Sequence, residues 1–166
     1  MLAGCTTQTT GTPSPQDTGT APTSTSATET SGTPAAAVRP CELITDSTAA
    51  QLGITGAPAK GPIHGVDSCR WRVRKADAGT SYTIDVAYYP KLGLADLVAD
   101  GQPTPISLGR HKAVQAFGPD GLGCVVSIEV TAKSRVDVSV LGGDPSTLCA
   151  PAKNAAQLVE PLLPPS

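Results

Sequence analysis

Aromatic side chains are scarce in this chain, with one Trp, one Phe and three Tyr among 166 residues. A core built on stacked rings is excluded, so any folded part must be packed mainly with Val, Leu, Ile and Ala. Long apolar runs are missing too, and no stretch approaches the roughly 20 residues of a membrane-spanning helix. Charge is sparse and nearly balanced, with a formal net charge of -2. That balance argues against a nucleic-acid binder and against general attraction to anionic lipid. There is no Cys-x-x-Cys, and the two histidines, His64 and His111, sit in unrelated places. No metal site and no cofactor is expected. Neither a Gly-x-Ser-x-Gly elbow, nor a phosphate-cradling glycine loop, nor a dinucleotide fingerprint occurs. The sequence therefore names no catalytic residue, although a triad assembles in space rather than along the chain.

What the chain does have begins at its first residues. Met1-Leu2-Ala3-Gly4-Cys5 has the form of a bacterial lipobox, where a diacylglycerol is attached to the cysteine thiol and the chain is cut just before it. Cys5 is the expected lipidation site, and residues 1–5 the remnant of a lipoprotein signal. Such a signal also needs a basic and an apolar region, and this reading expects both upstream of Met1. Two acyl chains, at about 0.8 kcal/mol per buried methylene, are enough for stable anchoring. The expected address is the extracytoplasmic face of the cell membrane, reached through the anchor at Cys5.

Residues 6–40 are almost entirely Thr, Ser, Pro, Gly and Ala, with Val38 the one branched aliphatic. Such a segment buries too little apolar area to offset its ordering entropy and reads as a disordered tether. Residues 41–166 then have room for one domain with a modest core. Within residues 41–53 a short helix is expected, with Thr45 as N-cap, Asp46 at the positive end and Gly53 as a left-handed stop. Cys69, Trp71 and Val73 alternate with Arg70, Arg72 and Arg74, and Tyr82–Tyr88 alternates again, which predicts a hairpin. Asp85 shares the polar face with the arginines and is placed to pair with one of them.

Residues 92–100 read as a second short helix with Leu94, Leu97 and Val98 inward, after which Pro103 and Pro105 hold the chain extended. A weaker strand over 110–117 precedes the clearest ones: Cys124, Val126, Ile128 and Val130, then Val136, Val138 and Val140. One buried and one mostly polar face is the pattern of an antiparallel sheet covered on a single side. After Asp144-Pro145, the stripe Leu148, Ala152, Ala155, Val159 and Leu162 predicts an amphipathic helix, with Pro151 dividing an initial turn from its main body. The fold class expected is α+β: one antiparallel sheet of about five strands with helices packed on one face.

With Cys5 set aside, Cys41, Cys69, Cys124 and Cys149 remain, an even set that predicts two disulfides outside a reducing compartment. Four cysteines allow three pairings. Each half of the domain holds one strand cysteine and one near a helix start, which favours Cys41–Cys69 and Cys124–Cys149.

Pro40-Cys41-Glu42-Leu43-Ile44-Thr45, Leu52-Gly53, Cys69-Arg70-Trp71, Gly123-Cys124-Val125-Val126 and Asp144-Pro145 with Cys149 together resemble a family of actinobacterial secreted lipoproteins classed as a domain of unknown function, the 3558 type. The resemblance spans most of residues 40–163. It implies a lipid-anchored, disulfide-bonded α+β domain, and brings no established activity and no catalytic residues. The two-disulfide layout is more loosely similar to extracellular sensor domains of mycobacterial receptor kinases.

Arg70, Arg72 and Arg74, with Lys75, form a candidate anion-binding row; alternating charge on a strand also simply keeps a solvent face soluble. Trp71, Tyr82, Tyr88 and Tyr89 are candidates for an apolar cleft or for the aromatic part of the core. The expectation is a non-enzymatic binding module in the cell envelope, with a small molecule, an envelope lipid or glycan, or a protein as ligand. Two alternatives stay open: a hydrolase with a spatially assembled Ser/His site, and a sensor-accessory domain that binds another membrane protein.

Overall fold

A computed structural model describes residues 38–165. Cys5, the lipobox and residues 6–37 of the expected tether lie outside them. Seven strands form one antiparallel sheet: β1 (Ala59–Lys60), β2 (Asp67–Val73), β3 (Tyr82–Tyr89), β4 (Asp100–Leu108), β5 (His111–Phe117), β6 (Cys124–Thr131) and β7 (Ser134–Leu141). Their order across the sheet is β1-β2-β3-β7-β6-β5-β4, so every neighbour pair but β3 and β7 is consecutive in sequence. β3 and β7 join the two hairpin runs in the middle.

Alternation explains why these residues make this centre. In register, Val86 faces Val138 on one side and Val138 faces Val126 on the other; Ile84, Val140 and Cys124 form the next row. All of these are shielded from solvent. β-branched side chains fit a pleated surface, so a valine-rich core substitutes here for the missing aromatics. Trp71 lies on the same face, opposite Ile84, and is buried.

Two helices lie against that face. α1 (Asp46–Leu52) starts where Thr45 accepts a hydrogen bond from the Thr48 amide at 3.2 Å, and it ends at Gly53 with φ 68°. These are the ends that Thr45 and Gly53 led one to expect, and ahead of them Pro40–Glu42 forms a separate 3-10 turn. Val38 and Pro40 are already buried, so the packed chain is under way before Cys41. α2 (Cys149–Val159) packs on β6, β7 and β5 through Ala152, Ala155, Ala156 and Val159. Small side chains at these positions let the helix axis approach the sheet closely. Cys41 is bonded to Cys69 and Cys124 to Cys149, with Cα–Cα separations of 5.1 and 5.0 Å. One bond ties the N-terminal turn to β2; the other ties β6 to the first residue of α2.

The structure corrects several expectations. The sheet has seven strands rather than about five. β1 is a two-residue strand inside a Gly/Pro-rich loop, too short to show a period. β4 runs through Pro103 and Pro105, which a central strand would not tolerate; it is an edge strand, where a missing N–H costs no ladder bond. No helix spans 92–100: only Leu94–Asp96 makes a 3-10 turn, and β4 begins at Asp100. Pro151 divides nothing, since it sits in the first turn of α2, where its absent N–H would have had no partner. The break falls earlier, between a 3-10 turn at Pro145–Thr147 and Cys149. Leu163, not Leu162, closes the apolar stripe. Pro161 cannot donate to the Gln157 carbonyl, so the helix ends and the register of the stripe changes.

The largest correction concerns the second face of the sheet. It is not simply polar and solvated: Asp85, Ala87, Val125, Ser127, Arg135 and Asp137 all point there and all are buried.

Candidate functional site

Loops, not helices, enclose that second face. Residues 90–99 pass over β7 and β6 as a strap, and parts of the 61–66 and 118–123 loops close the sides. Arg135 holds the strap: its Nη1 donates to the Gly93 carbonyl at 2.9 Å. Within the strap, the Gly93 amide donates to the Asp96 carboxylate at 2.8 Å, which fixes the turn. A side chain at Gly93 would run into the Ala132 carbonyl in the β6–β7 turn, so the close approach needs glycine. Replacing Gly93 by alanine should destabilise the domain by about 1–3 kcal/mol, as overpacking does, read from the urea midpoint. An unchanged midpoint would mean that the strap lifts freely.

Between strap and sheet lies a cavity of about 430 Å³. Its sides are apolar: Ile63, Leu92, Leu97, Val98, Leu122 and Val125. Five large apolar side chains are exposed among the described residues, and three of them, Leu92, Val98 and Leu122, ring this opening. Exposed apolar surface is thus concentrated here rather than scattered.

The floor carries two ion pairs. Arg70 and Asp85 stand directly opposite each other on β2 and β3 and bond in a fork, Nε to Oδ1 at 2.7 Å and Nη2 to Oδ2 at 2.6 Å. The hydrogen bond to Asp85 raises the Arg70 guanidinium above its already high value, against the opposing cost of burial. Arg135 and Asp137, two apart on β7 and so on one face, are joined at 2.9 Å. Arg135 also lies over the Tyr89 ring, 4.4 Å from its centre. Burial pushes the Asp137 carboxyl above its ordinary value, and Arg135 recovers only part of that. Ser127, opposite Asp137 on β6, helps hold the charge although it makes no hydrogen bond of good geometry. Tyr89 is raised as well, chiefly by burial. Every charge in the floor therefore already has a partner, and what the cavity offers a ligand is mainly apolar contact.

The candidate residues read from the sequence are divided by this geometry. Arg70 lies in the floor with Asp85, whereas Arg72 and Arg74 are exposed farther along the same face. Tyr89 alone of the aromatic group lines the cavity; Trp71, Tyr82 and Tyr88 lie on the helix-covered face. His64 is exposed in its loop. His111 is buried at the far end of the sheet, its Nδ1 2.6 Å from Glu160 and its Nε2 2.8 Å from the Pro164 carbonyl. No histidine lines the cavity, although Ser139 and Asp137 do. Among the described residues no three His, Cys, Asp or Glu side chains converge as metal ligands.

Arg135 and Asp137 are not among the candidates read from the sequence, and Leu97 and Val98 are assigned there to a helix face. The available signal was the excess of apolar residues in 92–98 and at Leu122. No curated protein and no solved structure matches this chain. One family model does, over residues 1–162, and its description is a protein of unknown function (DUF3558). The chain accordingly belongs to the DUF3558 family.

Proposed function

We propose that this domain is a non-enzymatic binding module that takes an apolar portion of a small ligand into the cavity under the strap. The observation that carries the reading is the apolar opening itself, ringed by exposed Leu92, Val98 and Leu122 over a floor whose charges are internally paired. Its volume, about 430 Å³, falls within the size range of small-molecule sites. A hydrolase needs a base beside its nucleophile. Ser139 has no histidine in the cavity, and His111 spends both ring nitrogens elsewhere. A protein-binding accessory domain would use the same apolar rim, but it would not need an enclosed volume behind it.

The place of work in this proposal is the extracytoplasmic membrane face, with acyl chains on Cys5 as the anchor. The lipobox form of residues 1–5 supports it, as do two disulfides, which persist outside a reducing compartment. Mass spectrometry of the peptide that begins at Cys5, from protein purified out of its own membrane, tests the anchor; an unmodified thiol would refute it.

For the cavity the test is an uncharged fluorescent probe, N-phenyl-1-naphthylamine, titrated into the full chain. The natural protein should enhance and blue-shift its emission. A Leu122→Asp variant, altered at an exposed rim position, should bind at least about ten-fold more weakly, since it loses apolar contact and gains a charge at the mouth. No enhancement by folded natural protein would end the ligand-binding reading.

A further inference from the structure

The apolar cavity does not stop at Arg70. A second concavity of about 650 Å³ adjoins it, and Arg70 and Leu141 line both. The chemistry changes across that shared wall. On one side are aliphatic side chains with ion pairs beneath them; on the other are Arg72, Arg74 and Lys75, with Tyr82 beside Lys75. No carboxylate lines the second concavity. Arg72, Arg74 and Lys75 make no ion pair among the described residues. A strand face that merely stays soluble mixes both signs. Of the acids close by in the chain or the sheet, Asp85 is already spent on Arg70, and Asp77 accepts from the Gly79 amide.

Arg70 itself is not exhausted by that bond. A guanidinium carries five N–H donors, and the fork to Asp85 uses two atoms of it, Nε and Nη2. Its side chain is 36% exposed, so the remaining donors are open to the groove. Arg72 follows two residues later on the same face, about 7 Å along the strand. Several cations at this spacing match the three oxygens of a phosphate better than the single charge of a carboxylate.

We propose that the two concavities are one site for a single-chain amphiphile with a phosphate head. Its chain lies between strap and sheet, its phosphate lies among Arg72, Arg74 and Lys75, and Arg70 stands at the junction. This rests on the reading of the apolar cavity as a ligand site and narrows that reading to one chemical class.

The test is calorimetric titration of the full chain with decyl phosphate, octyl phosphate, 1-decanol and glycerol 3-phosphate, each kept monomeric in solution. Removing a methylene from a buried chain weakens binding about four-fold, so octyl phosphate should bind about fifteen-fold more weakly than decyl phosphate. Loss of the charge-assisted bonds should make 1-decanol at least about ten-fold weaker than decyl phosphate. In an Arg72→Ala/Arg74→Ala variant, altered only at exposed positions, that ten-fold advantage should largely vanish while 1-decanol binds as before. Glycerol 3-phosphate should show no measurable binding. If 1-decanol and decyl phosphate bind the natural protein alike, the headgroup assignment is wrong and the apolar cavity stands alone. If glycerol 3-phosphate binds as tightly as decyl phosphate, the groove is a separate anion site and the joint site is refuted. Should none of the amphiphiles bind folded protein, both this inference and the cavity reading fall. The comparisons on the natural protein decide the matter even if the double variant does not fold.

Discussion

Replacing all four paired cysteines by alanine should leave the domain unfolded at neutral pH and room temperature, read as loss of the near-ultraviolet circular dichroism of buried Trp71. The two bonds close sequence separations of 28 and 25 residues. Loops of that length are worth about 3.5 kcal/mol each in chain entropy, or roughly 7 kcal/mol together. Small domains hold only about 5–15 kcal/mol in total, and a core of valines and alanines with one Trp does not place this one near the top of that range. Because the loops are nearly equal, removing either pair alone should lower stability by a similar amount, about 3.5 kcal/mol, as seen in guanidinium unfolding. Substitution is the cleaner experiment than added reductant, since Cys69 and Cys124 are buried and reduction would have to wait for opening. A four-alanine variant that still unfolds cooperatively at the natural midpoint would show that the crosslinks contribute nothing.

Glu160→Ala should cost about 3 kcal/mol, the low end of what breaking a buried ion pair costs. The pair is shielded from solvent, yet it lies at the β4–β5 end of the sheet, near the end of the described chain, with less protein around it than a central pair has. Its geometry explains the rest. The Pro164 carbonyl only accepts, so His111 Nε2 donates to it, and Nδ1 is hydrogen-bonded to the Glu160 carboxyl. Removing Glu160 leaves a buried ring nitrogen of His111 without its partner. The Arg110 amide also donates to Glu160, at 2.9 Å. Gly109, with φ 52°, has no side chain in the space that the carboxylate fills.

The same site predicts a pH dependence. Burial pushes the Glu160 carboxyl up, but the hydrogen bonds from His111 and the Arg110 amide outweigh it and hold the group below its ordinary 4.5. An acid lowered in the folded state stabilises fully above its unfolded value, and that contribution is lost as pH falls from about 4.5 through the folded value. Asp137 acts with the opposite sign. Its folded value lies above the ordinary 3.8, so its burial cost appears as pH rises from there and is relieved on acidification. Glu160→Gln keeps an acceptor for both donors and removes the charge. Its urea stability should therefore fall less than that of the natural protein between pH 5 and pH 3, while the Asp137 contribution runs the other way in both proteins. Parallel curves for the two proteins would refute the assignment.

Much of the helix-covered half was legible in the residues. Thr45 and Gly53 mark the ends of α1 through hydrogen-bond needs that are local to a helix terminus. Val126, Val136, Val138 and Val140 show their shared face because a strand repeats every two residues. Arg70 and Asp85 meet because hairpin register places them opposite. The strap was misread for a physical reason as well. Leu94, Leu97 and Val98 are spaced like a helix face, but Arg135 captures the Gly93 carbonyl and only one 3-10 turn forms. His111 looked solitary because Glu160 lies 49 residues away.

The residue pattern by itself determined a valine-rich antiparallel sheet, one helix-covered face and the cysteines to crosslink it. These follow from periods and caps that act over a few neighbours. Only the tertiary structure decided that the other face is roofed by loops, and that an apolar cavity lies there beside a cationic groove. Alternation tells that two faces of a strand differ. What comes to rest on the second face depends on segments far away in the chain that carry no period of their own.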